Sequence, residues 1–424
     1  FFLKCNEIEN AMFHNHLRNI RLLFFILNSF TAIVFSMTIS RLSTRLFSST
    51  AQSALARNAN SPLRWGILSA GRISSDYVKA MHLVPEAEPI AVAARSASKA
   101  QEFADSHNIP KTFGNYHDLI RNPDVDVVYI GTIADHHYEW TRESILAGKP
   151  TVVEKPMTLC ADDTKELINL AKEKNVFLME GMWTRCFPAM QKLRQIIASN
   201  EIGPIVYVQG DFGYSMANNG PEDRIWLPDS GGVTMDIGMY IAQFGRLAFP
   251  DGKLKDVFAT GTVKNGVDHS VMATVTYERG DSRDGFGEDG MLQFALTGAA
   301  NTEERMVLQG TKGRVVINGP FHVPQKMKVM YDQGRGESTE QIFDFPLPDD
   351  PYGAWNNPGS IGFVHQIREV GTALSRGKKE CDSFTWNESL EVATVVDEIV
   401  RQVRGERPIL RKVNGMEAME VASS

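Results

Sequence analysis

The lysine of Thr151-Val152-Val153-Glu154-Lys155-Pro156-Met157 is the residue of this sequence best placed to do chemistry. Thr-Val-Val reads as a short buried strand, and the carboxyl ends of such strands are where open α/β sheets place their ligands. A cation fixed there beside a proline is within reach of both a cofactor and a substrate. A solvated lysine at the end of a strand is the plainer alternative. Asp236 and Tyr240, within the stretch Gly232 to Tyr240, are four residues apart, so a helix puts both on one face. A third stretch, Gly181 to Pro188, gathers Trp183 and Phe187 around one cation, Arg185, and Phe212 and Trp226 extend it. These five residues form either plain core or an apolar platform for a sugar ring or an aromatic diol.

The elements that must position these residues divide into two kinds. Residues 61–180 alternate strand and helix. Leu63–Leu68 is a strand, and Ser69-Ala70-Gly71-Arg72-Ile73-Ser74 opens a helix running to about Val84. Gly71 is the middle glycine of a G-x-G-x-x-G turn whose outer glycines are serines, Ser69 and Ser74. It is the glycine that lets a pyrophosphate approach the backbone, with the helix N-terminus behind it. The second strand, Glu88–Ala94, ends in Arg95 and Ser96, with Lys99 one turn on, where an NAD site carries an acid for the ribose. A cation and a hydroxyl there suit a 2′-phosphate, so the cofactor expected is NADP. Val125–Ile130 is apolar throughout, as a strand buried on both faces must be, and Thr132 and His137 follow its end. Further helices (Ala97–His107, His137–Ala147, Ala161–Lys174) complete a doubly wound parallel sheet of the Rossmann type. Its ligand-facing loops bring Gly71, the Gly131–His137 segment and Glu154-Lys155-Pro156 together.

Residues 181–424 are built differently. A helix over Trp183–Ala198 is followed by seven strands between Ile205 and Tyr331, many with one-face alternation such as Val271 to Tyr277. Thr311-Lys312-Gly313 is a hairpin turn, Glu278–Gly290 a polar loop, and Gly359–Leu374 and Asn387–Val403 are helices. The class is thus α/β: a Rossmann domain (61–180) followed by an α+β domain (181–424) with a large, mostly antiparallel open sheet, and a ligand cleft between them.

Composition narrows the partners. Net charge is −7, and residues 1–60 carry +4, which leaves −11 for the rest (−7 minus +4). An acidic body argues against nucleic acid or an anionic membrane as the main partner. Cys5, Cys160, Cys186 and Cys381 form no C-x-x-C pair and no zinc spacing, so free thiols in a reducing compartment are expected, with no structural metal. Residues 1–60 are set apart as a targeting or disordered extension. Leu22–Met37 is either the apolar core of a signal peptide or upstream sequence from a wrong gene model. From Met37 the Arg-, Ser- and Ala-rich, acid-free run reads either as a mitochondrial transit peptide or as a disordered tail. The body is expected in the cytoplasm, or in mitochondria if Met37 is the true start.

Ser69-x-Gly71, Glu154-Lys155-Pro156, Trp183-Thr184-Arg185 and Asp236-x-Gly238-x-Tyr240, in this order and spacing, resemble the glucose–fructose oxidoreductase/inositol dehydrogenase family, from about Arg64 to about Val403. The resemblance implies NADP, held by Ser69, Gly71, Arg72, Ile73, Arg95, Ser96, Lys99, Thr132, His137, Glu154, Lys155 and Pro156. It implies a catalytic tyrosine at Tyr240, where many relatives have histidine, working with Lys155 and Asp236, and a cis bond between Lys155 and Pro156. Ala134-Asp135 departs from the family pattern, where Asn or His is common. The expected reaction is hydride transfer to NADP⁺ from a secondary alcohol, such as an aromatic trans-dihydrodiol, or from a sugar hemiacetal such as D-xylose. Tyr240 takes the proton, with its pKa lowered from about 10 by a cationic Lys155. Trp183, Arg185, Phe187, Phe212 and Trp226 hold the substrate, and the sheet of the second domain forms a homodimer. A non-catalytic NADP-binding sensor of the same fold, or another sugar oxidoreductase of the family, are the alternatives.

Overall fold

The computed structural model describes residues 61–220, 222–279 and 289–405, together with the backbone of 410–413 and 416–419. The extension over 1–60 and most of the polar loop before Gly290 lie outside the described residues. The described residues from 61 to 405 belong to one compact unit containing two large sheets.

The first sheet has six parallel strands: β1 (Leu63–Leu68), β2 (Ala87–Ala93), β3 (Lys111–Phe113), β4 (Val127–Ile130), β5 (Thr151–Val153) and β6 (Leu178–Glu180). Their spatial order is β3-β2-β1-β4-β5-β6. The order reverses between β1 and β4, which creates the crevice that a dinucleotide uses in such sheets. The central strands are buried on both faces and read as continuous apolar runs. The helices follow the sequence closely: α1 (Arg72–Met81), α2 (Ala97–His107), α3 (Tyr116–Arg121), α4 (His137–Leu146) and α5 (Ala161–Lys174). Asn108 and Asn175, each left-handed, stop α2 and α5.

The helix expected over Trp183–Ala198 is broken. Trp183–Cys186 is one 3₁₀ turn, Phe187 is extended, and α6 begins at Pro188 (Pro188–Ala198). Proline disfavours helical backbone in the residue before it and suits a helix's first position, so Pro188 restarts the helix instead of continuing it.

The second sheet has eight strands: β7 (Ile205–Gly213), β8 (Lys253–Lys264), β9 (Val267–Glu278), β10 (Gly290–Thr297), β11 (Met306–Gly310), β12 (Gly313–Ile317), β13 (Lys326–Gly334) and β14 (Glu337–Asp344). They lie in the order β14-β13-β12-β11-β7-β10-β9-β8. All neighbours are antiparallel except β7 and β10. Strand β14 has no counterpart in the sequence reading. It is an edge strand exposed along nearly its whole length, so it carries no apolar alternation to recognise. The buried face of this sheet packs on α7 (Met239–Ala248) and α9 (Trp386–Arg404), and α8 (Phe363–Ser375) returns to the first sheet's helix α1.

Before α7 the chain makes a π-helical turn, Thr234–Gly238. Its start is tightly held. The Asp268 carboxylate accepts from Thr234 N (2.7 Å) and Thr234 Oγ1 (2.6 Å), and it forms an ion pair with Arg404, the last residue of α9. Gly232 has φ of +88°, and a Cβ there would lie 2.2 Å from Arg404 Nη2, so only glycine fits.

Candidate active site

On the cofactor side, the loops after β1, β4 and β5 meet at one end of the parallel sheet. Ser69 holds φ of +88°, a conformation normally left to glycine, and its amide bonds to Ala93 O. Gly71 caps α1 with no side chain on the free amides of its first turn. Ser74, where a third glycine is usual, is buried, and its hydroxyl finds no partner. Its room comes from the other side: a Cβ on Gly131 would lie 2.3 Å from Ser74 Oγ. The close helix–strand approach that the helix glycine normally allows is therefore supplied by the glycine ending β4. Thr132 Oγ1, at the same strand end, is a second buried hydroxyl without a partner. Bare helix amides, a hydroxyl without a partner and a close-packed glycine fit a dinucleotide's phosphates.

Arg95 is exposed just beyond β2, and Ser96 caps α2 by accepting from Lys99 N. Tyr116 stands close enough to feel both Arg95 and the Ser69 hydroxyl, with burial raising its pKa. Sequence reasoning passed over it because a tyrosine opening a short helix carries no motif.

Two residues expected to hold the cofactor are turned elsewhere. His137 is buried, with Nδ1 2.6 Å from Pro156 O and Nε2 3.0 Å from Thr132 O. Both nitrogens face carbonyls, so the ring braces the loops after β4 and β5 against each other and has no polar atom left for a ligand. Glu154 points into the core and accepts from the Tyr129 hydroxyl at 2.9 Å, and Tyr129 stacks on Tyr77 at 3.8 Å between centroids. Burial pushes the Glu154 carboxyl up to about 7, against the Tyr129 hydrogen bond and the Lys155 charge.

The Lys155–Pro156 bond is cis, and the lysine crosses to the second sheet's side. Its ammonium donates to Asp236 O at 2.7 Å, lies 3.7 Å from Asp236 Oδ1 and sits 5.0 Å from the centre of the Tyr240 ring. Asp236 also accepts from Arg224 Nη2 (2.9 Å) and from the Tyr214 hydroxyl (2.6 Å). Burial raises the Asp236 pKa, but Arg224, Lys155 and Tyr214 together outweigh it and hold the carboxylate well below its ordinary range. Burial lowers the Lys155 pKa, with Asp236 opposing and Arg224 adding to the fall. Asp236 and Tyr240 do act on one group, as their spacing predicts, but through a π turn and not a regular helix.

Tyr240 reverses one expectation. Burial sets its pKa well above the ordinary value, opposed by the hydrogen bond from Trp183 Nε1 at 2.9 Å, and Lys155 does not bring it down. The ammonium lies over the ring, where it is attracted to the π face, and is engaged by Asp236. The phenol accepts from Trp183, so its own proton remains available to a ligand.

Around Tyr240 stand Trp183, Phe212 and His322. Phe212 stacks on His322 at 4.8 Å between centroids, and His322 Nδ1 lies 3.1 Å from Glu304 Oε2. His322, Arg224 and Tyr214 were missed by sequence reasoning. Tyr214 and Arg224 lie 22 and 12 residues before Asp236 at no regular spacing, and His322 comes from a distant loop. Trp183 and Phe212 reach Tyr240 as expected, Phe187 backs that wall from the core with its ring centre 5.4 Å from that of Trp183, and Arg185 and Trp226 are engaged elsewhere. Arg185 is 1% exposed and bonds to Ser383 O, Gln243 O and Glu388, the residue that also forms the capping box of α9. Its cation is spent on joining helices. Phe187 is core, packed so closely on Gly362 that a Cβ there would lie 2.2 Å from its ring. Trp226 is half-buried with Lys264 5.8 Å over its ring.

The comparisons with known proteins agree with this architecture. Residues 63–182 match the model of an oxidoreductase family with an NAD-binding Rossmann fold, and residues 190–316 match the GFO/IDH/MocA C-terminal domain. The trans-1,2-dihydrobenzene-1,2-diol dehydrogenase of Sus scrofa is 35% identical over 344 residues, which is 80% of this chain and 97% of that protein. Its Homo sapiens counterpart is 32% identical over the same shares. Among solved structures, a 3-ketoreductase from Actinomadura kijaniata in complex with NADP and TDP-benzene aligns with a TM-score of 0.65 at 22% identity, covering 81% of this chain and 98% of that one. A levoglucosan dehydrogenase in complex with NADH and levoglucosan aligns at 0.68 and 20%, covering 80% and 97%.

The buried Glu154 gives a pH test. Its pKa is raised from 4.5 to about 7, so between those values the folded protein holds a proton that the unfolded chain has released. Its contribution to stability is complete below about 4.5 and is lost as pH rises through about 7. In Glu154→Gln, the drop in unfolding free energy from pH 5 to pH 8 should shrink by roughly 2–3 kcal/mol in urea titrations. Identical pH profiles for variant and wild type would mean that this carboxyl is solvated.

Proposed function

The chain belongs to the GFO/IDH/MocA oxidoreductase family, and from that footing we propose that it is an NADP-dependent dehydrogenase oxidising a secondary alcohol of a small polyhydroxylated substrate. An aromatic trans-dihydrodiol and a sugar hemiacetal such as D-xylose are the two substrate classes. The observation that carries this reading is the meeting of Lys155, Asp236 and Tyr240 beside the aromatic wall of Trp183 and Phe212. The shared substrate feature is a ring with adjacent hydroxyls, which offers an apolar face to the wall and donors or acceptors to Tyr240 and His322. The relatives named as dihydrodiol dehydrogenases favour the aromatic diol.

Bound NADP⁺ supplies the hydride acceptor. The protein supplies the path for the proton. A phenol with a raised pKa is a poor free base, so no phenolate accumulates. Lys155 rests as an ammonium held by Asp236, and it must first release a proton to solvent, a loss that burial eases. Its amine then takes the Tyr240 proton as Tyr240 accepts the substrate's hydroxyl proton. Over one turnover the net change is one proton released to solvent and one carbonyl formed, with the two electrons leaving as hydride and Lys155 returned to its ammonium form. Asp236 holds the lysine and, with Arg224 and Tyr214, keeps the π turn in place. Trp183 fixes the direction of the Tyr240 hydroxyl.

Support for NADP over NAD lies in the exposed Arg95 beyond β2, with the Ser96 hydroxyl beside it and Lys99 in the first turn of α2. The partner proposed is a second copy of the chain. Phe258, Met272 and Met291 are 62%, 53% and 39% exposed and share the outer face of β8, β9 and β10. Covering such side chains is worth about 1.5–3 kcal/mol each when burial is complete.

Three measurements test these points. Tyr240→Phe should bind NADP(H) as the wild type does and lose about 10²–10⁴-fold in kcat. Retention of most turnover would pass the proton directly to Lys155. Arg95→Asp should weaken NADP by roughly 10–100-fold, the worth of a charge-assisted bond, with NAD little changed. An unaltered preference would remove Arg95 from the cofactor site. In sedimentation, the wild type should run at twice the chain mass and Phe258→Glu/Met272→Glu at the single mass. A monomeric wild type would dispose of the dimer.

A further inference from the structure

A fully buried carboxylate that the proposed chemistry leaves unused lies on the cofactor helix. Asp76, in the second turn of α1, is 0% exposed. Its oxygens accept from Asn356 N (2.9 Å), Asn356 Nδ2 (2.9 Å), Asn357 N (2.9 Å), Asn357 Nδ2 (3.1 Å) and Ser360 Oγ (2.9 Å). All five donors are neutral, and all come from one segment more than 270 residues away, between β14 and α8. An unpaired buried charge is costly unless its hydrogen bonds are complete. This segment therefore supplies the solvation that Asp76 has lost.

The same segment continues along α1 in both directions. Toward the helix N-terminus, Asn356 Nδ2 donates to Arg72 O at 3.1 Å and Arg72 Nη2 donates to Asn356 O at 3.4 Å. Arg72 is the first residue after Gly71, so Asn356 grips the turn that carries the free helix amides. Toward the C-terminus, Lys79 donates to Ala354 O at 2.8 Å and lies 5.8 Å over the Trp355 ring. The segment also has an internal hub. Asp350 accepts from Tyr352 N, Gly353 N and Trp355 Nε1. Gly353, ahead of the contacts, and Gly359, just before Ser360, both have positive φ. The result is a preformed strap, mostly exposed on its outer side, fastened at one buried point.

We propose that residues 350–360 form a strap that clamps the first turn of the dinucleotide helix, and that Asp76 and Asn356 are positioning residues setting how tightly the cofactor is held. This rests on the cofactor reading above. With the strap fastened, the Arg72 backbone and guanidinium are fixed, and the amides behind Gly71 keep one orientation. With it loosened, that turn frays and the helix end loses its preorganisation for phosphate. The strap touches none of Lys155, Asp236 or Tyr240, so its influence falls on the cofactor and not on the chemistry.

The test uses the full chain and reads binding directly. NADPH and NADH are titrated into wild type, Asn356→Ala and Asp76→Asn by nucleotide fluorescence, and release is followed by stopped flow. Asn356→Ala should weaken the preferred nucleotide by at least about fivefold and Asp76→Asn by at least about tenfold, chiefly through faster release. KM for substrate at saturating cofactor should stay within about twofold of wild type. A role confined to stability would lower the melting temperature and leave Kd and release unmoved, which overturns the proposal. Should Asp76→Asn fail to fold, Asn356→Ala, which retains the Asp76 carboxylate and its other donors, decides alone. Failure of the wild type itself to bind either nucleotide would bring down the cofactor reading, and the strap's role with it. Wild-type binding matched by both variants overturns the strap only.

Discussion

One buried carboxylate joins the two halves of this protein at their working surface. Asp236 sits on a π turn ahead of α7, and its backbone and side chain together receive Lys155 from the first sheet, Arg224 from a connecting turn and Tyr214 from just after β7. Removing a charge from water costs several kcal/mol, and an ion pair recovers this only where geometry and further hydrogen bonds are complete. Here two cations and a phenol share the burden. The strong lowering of the Asp236 pKa is the sign that they succeed. Each donor must arrive from a different element, so the carboxylate constrains the placement of the β5 end, the π turn and the start of the second sheet.

The consequence for Tyr240 is indirect. Had Lys155 been free to sit beside the phenol oxygen, the tyrosine would have become more acidic. Asp236 holds the ammonium instead, and the ring receives the cation on its face. Burial then dominates and raises the phenol's pKa. The pair is thus not set for a standing phenolate, and the chemistry proposed above relays the proton through the tyrosine instead.

The parallel, doubly wound character of the first sheet and the loops at its carboxyl ends were legible from residues 61–180, because buried parallel strands write themselves as continuous apolar runs such as Val127–Ile130. The partnership of Asp236, Tyr240 and Lys155 was also legible, from spacing and from the family likeness. What could not be read was direction. Glu154 and Lys155 are adjacent, yet one side chain turns to Tyr129 in the core and the other to the cleft. His137 and Arg185 carry groups that suit a ligand, but both are consumed by backbone carbonyls or a helix-joining ion pair. Local sequence fixes which face of a strand or helix a residue occupies, not which distant carbonyl will satisfy it. Arg224, Tyr214 and His322 escaped notice for the complementary reason, since no helical or strand spacing ties them to Asp236 or Tyr240 and only the folded turns and loops do.

The substituted glycine turn shows how such a site tolerates change. Ser69 accepts a left-handed backbone, and Ser74 survives because Gly131 yields the space on the opposite strand. The requirement is a close contact between the helix and the end of β4, and either side can provide it. Substrate recognition has comparable freedom. Trp183, Phe212 and His322 come from a 3₁₀ turn, a strand and a loop that have no part in holding Lys155 or Gly71. In the function proposed above, changing Phe212 or His322 would alter what is oxidised, whereas Trp183, which donates to the Tyr240 hydroxyl, is tied to the proton path as well. On that reading one fold can take more than one substrate class, with the charged core around Asp236 kept and the Phe212–His322 side of the wall changed.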